Sequence, residues 1–157
     1  MEFISRSAEQ TRRAGMQLGG LLQSGDTICL IGDLGAGKTT FVQGISVGWG
    51  SLDQVTSPSF VIVNVYRHFD RRRLYHLDAY RLSGVQEAID LDLDAYLEEG
   101  PMVVEWADRI LDALPASHLS LNINWVDEHQ RDLLIHAFGV RYEELLNEFR
   151  EQIYGVW

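Results

Sequence analysis

The feature that most constrains the fold is a short apolar run that passes directly into a glycine-rich loop. Thr27 to Ile31 reads TICLI, the continuous apolar pattern of a strand buried on both faces. Gly32 to Gly37 contains three glycines, and Lys38 to Val47 is predicted to be a helix that ends near Gly48 and Gly50. A buried strand that turns straight into a helix indicates a layered α/β domain.

The rest of the chain continues this alternation. Further helices are expected over Ser7 to Leu22, with Ser7 as N-cap, over Val85 to Glu98, with Ile89, Leu93 and Leu97 on one face, and over Arg141 to Tyr154. Further strands are expected at Phe60 to Tyr66, Leu74 to Leu77, Met102 to Val104, Leu119 to Val126 and Arg131 to Phe138. The first two of these strands are separated by a charged turn and predict an antiparallel hairpin, and the last two predict another pair.

This order predicts a P-loop NTPase-like three-layer sandwich. Its central mixed sheet would have a parallel core with added antiparallel strands, and helices would cover both faces. A length of 157 residues fits a single domain spanning 1–157.

Composition excludes several classes of protein. The formal net charge of −10 argues against a self-sufficient nucleic-acid binder, although a local basic patch is still compatible with it. The single cysteine, Cys29, excludes an intramolecular disulfide and a cysteine-rich metal cluster, and its apolar neighbours predict that it is buried. No stretch approaches 18 apolar residues and the N-terminus does not read as a signal peptide, so we expect no membrane association and a cytoplasmic location.

The glycine-rich segment matches a phosphate-binding pattern. Gly32 to Thr39 reads GDLGAGKT and fits G-x-x-x-x-G-K-[ST], with the required strand before it and helix after it. Glycines allow backbone N–H groups to wrap closely around a phosphate, and the following helix adds its partial positive charge. Lys38 can bridge the β- and γ-phosphates of a nucleotide, and the Thr39 hydroxyl can bind Mg²⁺.

Phosphate-loop enzymes also need an acidic residue to position Mg²⁺ or water, usually at the end of a neighbouring strand. Glu105 and Asp78 each follow a predicted strand. A helix cap or a surface ion pair is the alternative role for either carboxylate. Thr56 lies in a loop after the first phosphate-loop helix, where its hydroxyl or backbone could sense a γ-phosphate or simply form a turn before Pro58.

The residues alone leave two questions open, the roles of several arginines and the functional class of the protein. Arg71 to Arg73 lie either in a solvated turn or on a contact surface, and Arg81 and Arg109 either act in the site or face the surface. No N-K-x-D motif is present, and Asp78 does not begin a D-x-x-G motif. Both observations argue against a GTPase. An ATPase, a nucleotide-gated binding module with incidental hydrolysis, and a small-molecule kinase remain as alternatives.

Four motifs together resemble one family. They are GDLGAGKTTFVQG (Gly32 to Gly44), VTSPSF (Val55 to Phe60), YHLDAYRL (Tyr75 to Leu82) and VVEWADR (Val103 to Arg109). This set is similar to that of the TsaE (YjeE) family, small bacterial phosphate-loop ATPases needed to make threonylcarbamoyladenosine in tRNA. Ser59 and Asp108 depart from the residues that the family commonly has there, Thr and Glu.

The resemblance implies a role for each matching residue. ATP phosphates would be bound by Gly35, Ala36, Gly37, Lys38, Thr39 and Thr40, and Thr11 would approach the adenine. Thr39 and Glu105 would bind Mg²⁺. Asp78, Lys38 and Thr56 would serve hydrolysis, with Asp78 holding the water and Thr56 in the switch loop. Trp106 would lie beside the site.

The resemblance also implies a partner. The TsaD–TsaB complex would be that partner, and ATP hydrolysis to ADP and phosphate would permit its repeated turnover. Contact with tRNA would then be indirect, through the complex. We expect hydrolysis by the chain alone to be slow, because no arginine finger is evident in the sequence.

Overall fold

A computed structural model describes residues 1–33, 35–55 and 62–155. Within these ranges the strands form one sheet of seven. Their bounds are β1 (Glu2–Ser5), β2 (Thr27–Ile31), β3 (Val63–Arg67), β4 (Arg73–Asp78), β5 (Met102–Glu105), β6 (His118–Trp125) and β7 (Arg131–Phe138).

The sheet has a parallel centre with antiparallel flanks. The strand order is β1-β7-β6-β2-β5-β4-β3. Strand β2 pairs in parallel with β5 and β6, and β4 pairs in parallel with β5, whereas β1–β7, β6–β7 and β3–β4 are antiparallel. This arrangement confirms the predicted fold class, including both predicted antiparallel pairs.

Helices cover both faces of the sheet. They are α1 (Ala8–Gly19), α2 (Lys38–Trp49), α3 (Val85–Asp90), α4 (Leu93–Leu97) and α5 (Val140–Tyr154). Helices α1, α2 and α5 share one apolar core with the first face, and α3, α4 and short 3-10 turns pack on the second. Strand β2 serves both cores, because Ile28 and Leu30 point to the first and Cys29, fully buried as predicted, points to the second.

Helices α1 and α2 approach through glycines. A Cβ added at Gly15 or Gly19 would lie 2.3 or 2.1 Å from a carbonyl oxygen of α2. One added at Gly44 or Gly48 would lie 2.0 or 1.9 Å from a carbonyl oxygen of α1. The two backbones are therefore in direct contact, and α2 continues past Gly48 to Trp49, where Gly50 caps it with a φ of 99°.

The structure differs from the sequence expectations at two places. The N-terminal strand β1 was not foreseen. The helix predicted over Val85 to Glu98 is divided into α3 and α4, because Asp92 takes a left-handed conformation with a φ of 54°. The break turns Ile89 into solvent, where it is 52% exposed, while Leu93 remains buried.

Other element ends differ slightly from expectation. Strand β3 begins at Val63 within the described residues, and the predicted start at Phe60 lies outside them. None of the helices within the described ranges has the length and apolar character needed to span a membrane.

Candidate functional site

The glycine-rich loop leads directly into α2. Gly37 is the residue before the helix and has a φ of 102°, and Gly35 has a φ of 78°. Residues other than glycine rarely adopt such φ angles, so both positions favour glycine. The Ala36 N–H donates to the Asp33 carbonyl at 3.1 Å and tightens the turn. Because α2 begins at Lys38, its first-turn N–H groups and positive dipole end lie at this loop, the arrangement that binds anions.

Lys38 is held inside the loop. Its side chain donates to the carbonyl oxygens of Gly32 and Asp33, the latter at 2.8 Å, and its ammonium lies 4.2 Å from the centre of the Trp106 ring. Burial lowers the pKa of Lys38, while the carboxylates of Glu105, Asp33, Asp108 and Asp78 act in the opposite direction. Lys38 therefore interacts electrostatically with four acidic side chains around the loop.

The two predicted acidic residues are neighbours across the sheet. Asp78 ends β4 and pairs in register with Glu105, which ends β5. Carboxyl ends of parallel strands meet at one edge, so the sheet brings both carboxylates to the loop. Asp78 also caps the following 3-10 turn by accepting from the Tyr80 N–H at 3.0 Å, and its second oxygen lies 3.8 Å from Arg81 Nε. The capping role weighed for Asp78 is thus present in the fold.

Glu105 has a hydrogen-bond partner on the neighbouring strand β4 that was not predicted from the sequence. One carboxylate oxygen lies 2.5 Å from His76 Nε2. The other ring nitrogen, Nδ1, lies 2.9 Å from the Tyr66 hydroxyl. The available signal was the alternation of β4, which puts His76 on the same face as Asp78 two residues later.

An aromatic stack extends from the loop towards the surface. Trp106 follows Glu105 with a left-handed φ of 58° and lies beside the site, as expected. Its ring centre is 5.0 Å from that of Tyr80, and the Arg109 guanidinium lies 5.6 Å from the Tyr80 ring centre. Arg109 also donates to the Leu82 carbonyl at 3.3 Å, so it braces the surface turn.

A cleft opens on the other side of the loop. Its walls come from α1, the loop and the β6–β7 turn, and consist of Ala8, Thr11, Gly37, Thr40, Glu128, His129 and Arg131. Thr11 is buried there, and its hydroxyl lies 2.6 Å from that of Ser5. The structure therefore brings Thr11 and Thr40 together beside the phosphate loop.

Arg131 is a second residue that sequence reasoning missed. Its guanidinium donates to the Ala36 carbonyl at 3.0 Å and to the Asp127 carbonyl at 2.6 Å. It thereby ties the β6–β7 turn to the phosphate loop. Arg131 opens a strand and has no spacing relation to the loop in the sequence, so only the tertiary structure reveals the contact.

Two other predicted features lie apart from this centre or outside the described residues. Thr56 falls in the segment 56–61, which the description does not cover. Arg71 to Arg73 lie exposed at the β3–β4 turn, with Arg72 paired to Asp70 at 2.6 Å and Arg73 to Glu99 at 3.6 Å.

The oxygen donors suit a magnesium ion. Thr39 stands in the first turn of α2 and Glu105 at the end of β5. A hydroxyl and a carboxylate, completed by nucleotide phosphates and water, are ligands that Mg²⁺ accepts. Across residues 1–33, 35–55 and 62–155, no group of three or more His, Cys, Asp or Glu side chains is arranged to hold a metal ion, and a site of this mixed kind does not require one.

Comparisons with known proteins agree with this arrangement. The family model described as "Threonylcarbamoyl adenosine biosynthesis protein TsaE" matches residues 5–133. A tRNA threonylcarbamoyladenosine biosynthesis protein TsaE from Treponema pallidum is 35% identical over 136 residues, which cover 86% of this chain and 99% of that protein. The Bacillus subtilis protein of the same name is 38% identical over 149 residues, 94% of this chain and 92% of that protein.

A solved structure supports the same relationship. The crystal structure of YdiB from Bacillus subtilis superposes with a TM-score of 0.79 at 33% sequence identity, covering 97% of this chain and 95% of that one. With its sequence, its sheet and its phosphate loop all in agreement, the chain belongs to the TsaE family and to tRNA threonylcarbamoyladenosine biosynthesis.

Proposed function

We propose that this chain is a Mg²⁺-dependent ATPase that acts on the TsaD–TsaB complex to permit its repeated turnover. The observation that carries the proposal is the position of Lys38. Lys38 is the first residue of α2, and the carboxylates of Glu105 and Asp78, paired in register at the adjacent strand ends, act on its charge. A cation at a helix N-terminus, next to two strand-end carboxylates, is the charge pattern that a Mg²⁺–triphosphate complements.

Each part of the site has a task in this proposal. The loop from Gly35 to Thr40 binds the phosphates through N–H groups, and Lys38 leaves its carbonyl partners to contact the β- and γ-phosphates. The cleft beside Thr11 and Arg131 receives the nucleoside end of ATP, because it adjoins the loop on the side of Thr40. Asp78 orients the attacking water, and Thr56 belongs to the switch loop.

Thr39 and Glu105 would hold the magnesium ion. When bound, the ion neutralises charge on the β- and γ-phosphates. The protein contributes the fixed positions of these two ligands at the ends of α2 and β5.

The decisive experiment is ATP hydrolysis by the chain alone and with the TsaD–TsaB pair. We expect slow turnover alone and a marked increase with the pair. Lys38→Ala should weaken ATP binding by about 100-fold or more, because it removes charge-assisted contacts worth about 1.5–3 kcal/mol each. Unchanged ATP affinity in Lys38→Ala would contradict the site, and turnover indifferent to the pair would contradict the partner.

A nucleotide-gated binding module is the second candidate. It is favoured by the Asp78 carboxylate, which already caps a turn and faces Arg81. Asp78→Asn keeps an oxygen for the Tyr80 N–H but removes the charge, whereas Asp78→Ala removes both. If Asp78→Asn binds ATP, lacks turnover and still supports tRNA modification, hydrolysis is incidental. If modification fails while ATP binding and docking persist, the ATPase proposal stands.

The small-molecule kinase is tested with labelled ATP. Incubation with candidate acceptors should release the label only as free phosphate if the chain is an ATPase. Label found on an acceptor would favour the kinase.

A further inference from the structure

Three polar side chains form a row across neighbouring strands. Tyr66 comes from β3, His76 from β4 and Glu105 from β5, all on the face that α2 covers. His76 lies between the other two, 2.9 Å from the Tyr66 hydroxyl and 2.5 Å from a Glu105 oxygen. The Tyr66 and His76 residues are only 4% and 6% exposed, so water cannot substitute for either bond at low free-energy cost.

The chemistry of the three groups sets the direction of both hydrogen bonds. An ionised carboxylate only accepts, so His76 Nε2–H donates to Glu105. In the neutral form of the ring Nδ1 then accepts, and the Tyr66 hydroxyl donates to it. Burial raises the pKa of Tyr66 to about 12, with Glu105 and Asp53 adding to the shift, so the hydroxyl keeps the proton that it donates.

We propose that Tyr66 and His76 are positioning residues that hold one oxygen of Glu105 and leave the other to bind magnesium. This inference rests on the proposed function, because it concerns the same metal ligand. Tyr66 fixes the ring orientation and the tautomer of His76, and His76 fixes the rotation of the carboxylate. Groups that orient a ligand in this way commonly change metal affinity by about 10- to 100-fold when they are removed.

The test separates metal binding from nucleotide binding. The dissociation constant of a fluorescent ATP analogue is measured with saturating Mg²⁺ and with EDTA. The constant in EDTA divided by the constant in Mg²⁺ reports the contribution of the metal to binding. We expect His76→Leu to reduce this ratio by about 10-fold or more and Tyr66→Phe by about fivefold, the value of one lost hydrogen bond. The constant in EDTA should stay at the wild-type value in both.

Conservative and matched variants exclude a merely structural effect. His76→Gln keeps an N–H donor for Glu105 and should restore much of the ratio. Tyr142→Phe is the control, because Tyr142 is equally buried and its hydroxyl accepts from the Thr27 N–H at 2.9 Å, away from the strand ends that carry the site. It should leave the ratio unchanged. A double variant of His76→Leu with Glu105→Ala should be no worse than Glu105→Ala alone.

The possible failures are distinguishable. If Glu105→Ala loses the Mg²⁺ effect while His76→Leu, His76→Gln and Tyr66→Phe all retain it, the positioning role is overturned and the metal ligand stands. If Glu105→Ala retains the full effect, the metal assignment in the proposed function is wrong, and the positioning role is overturned with it.

Discussion

The two faces of the sheet are built in different ways. On the first face, two helices of 12 residues each pack backbone against backbone through their glycines, and one of them carries the phosphate loop. On the second face, α3 and α4 have six and five residues, and 3-10 turns and the left-handed residues Asp92 and Trp106 connect the elements. Both cores consist of buried apolar side chains, and on the first face the backbones of α1 and α2 are also in direct contact.

This difference separates two requirements of the site. A phosphate loop needs N–H groups in fixed positions. A helix whose backbone packs directly on its neighbour holds them there. Trp106 instead packs against the second core, where the helices are short and are connected by turns. We therefore expect the first face to be intolerant of added volume and the second to be tolerant of local change.

The largest expected effect tests the first face at adjacent glycines. An added Cβ at Gly19 would lie 2.1 Å from the Ile45 carbonyl oxygen, whereas at Gly20 its nearest neighbour is 3.6 Å away. Gly19→Ala should lower the free energy of unfolding by about 3 kcal/mol or more. Gly20→Ala should leave it unchanged or raise it by up to about 1 kcal/mol, since Gly20 caps α1 with φ and ψ angles that alanine also adopts and the change restricts the unfolded chain.

Urea unfolding of the two variants measures this contrast. Equal free energies for Gly19→Ala and Gly20→Ala would show that α1 and α2 can move apart. The proposed rigidity of the first face would then be wrong.

The expected effect of intermediate size is on the pH dependence of stability, and it tests whether solvent reaches the second core. Burial raises the pKa of the Cys29 thiol from 9.0 to about 12. Below pH 9 the thiol is protonated in both the folded and the unfolded chain and contributes no pH dependence. Between pH 9 and 12 only the unfolded chain loses the proton, so folding stability falls as pH rises, by about 1.4 kcal/mol at pH 10.

Cys29→Ala is the reference for this loss. The change in unfolding free energy between pH 8 and pH 10 should be smaller in Cys29→Ala than in the wild type by the amount attributed to the thiol. Buried tyrosines titrate in both proteins and cancel. An identical pH dependence would mean that solvent reaches Cys29 and that the second face is looser than the first.

The smallest expected effect is at the break between α3 and α4. Asp92 has a φ of 54°, which glycine adopts more readily than aspartate. Asp92→Gly should stabilise the fold slightly, by up to about 1 kcal/mol, because relief of strain outweighs the added freedom of the unfolded chain. Asp90→Gly, within α3, should destabilise it by about 0.5–1 kcal/mol. Chemical denaturation measures the free energy of unfolding of Asp92→Gly and Asp90→Gly. Equal destabilisation of the two variants would show that Asp92 is not strained.

The sequence carried the centre of the fold and much of the site. The run TICLI, the glycine loop and the two strands that end in acidic residues are each encoded within a few neighbouring residues, and they were predicted where they lie. Strand β1 was missed because it has four residues at the sheet edge and only a weak burial alternation. The division of α3 from α4 was missed because the apolar spacing of Ile89, Leu93 and Leu97 is that of a continuous helix, which the left-handed Asp92 interrupts.

The missed site residues have a different cause. Arg131 reaches Ala36 across 95 positions of sequence, and Tyr66, His76 and Glu105 meet across three strands. No local pattern records a contact of this kind. The functional roles of all the predicted site residues, including Thr56 outside the described residues, remain predictions.

The central position of β2 has a consequence for synthesis of the chain. Thr27 pairs with Met102, and Ile28 with Leu119, so β2 leaves the ribosome long before either neighbour exists. The separation of 102 − 27 = 75 residues corresponds to about 4–15 seconds of translation at roughly 5–20 residues per second. During that interval the nascent chain holds an apolar, β-prone segment whose neighbouring strands are not yet made, so it is exposed to aggregation until they appear.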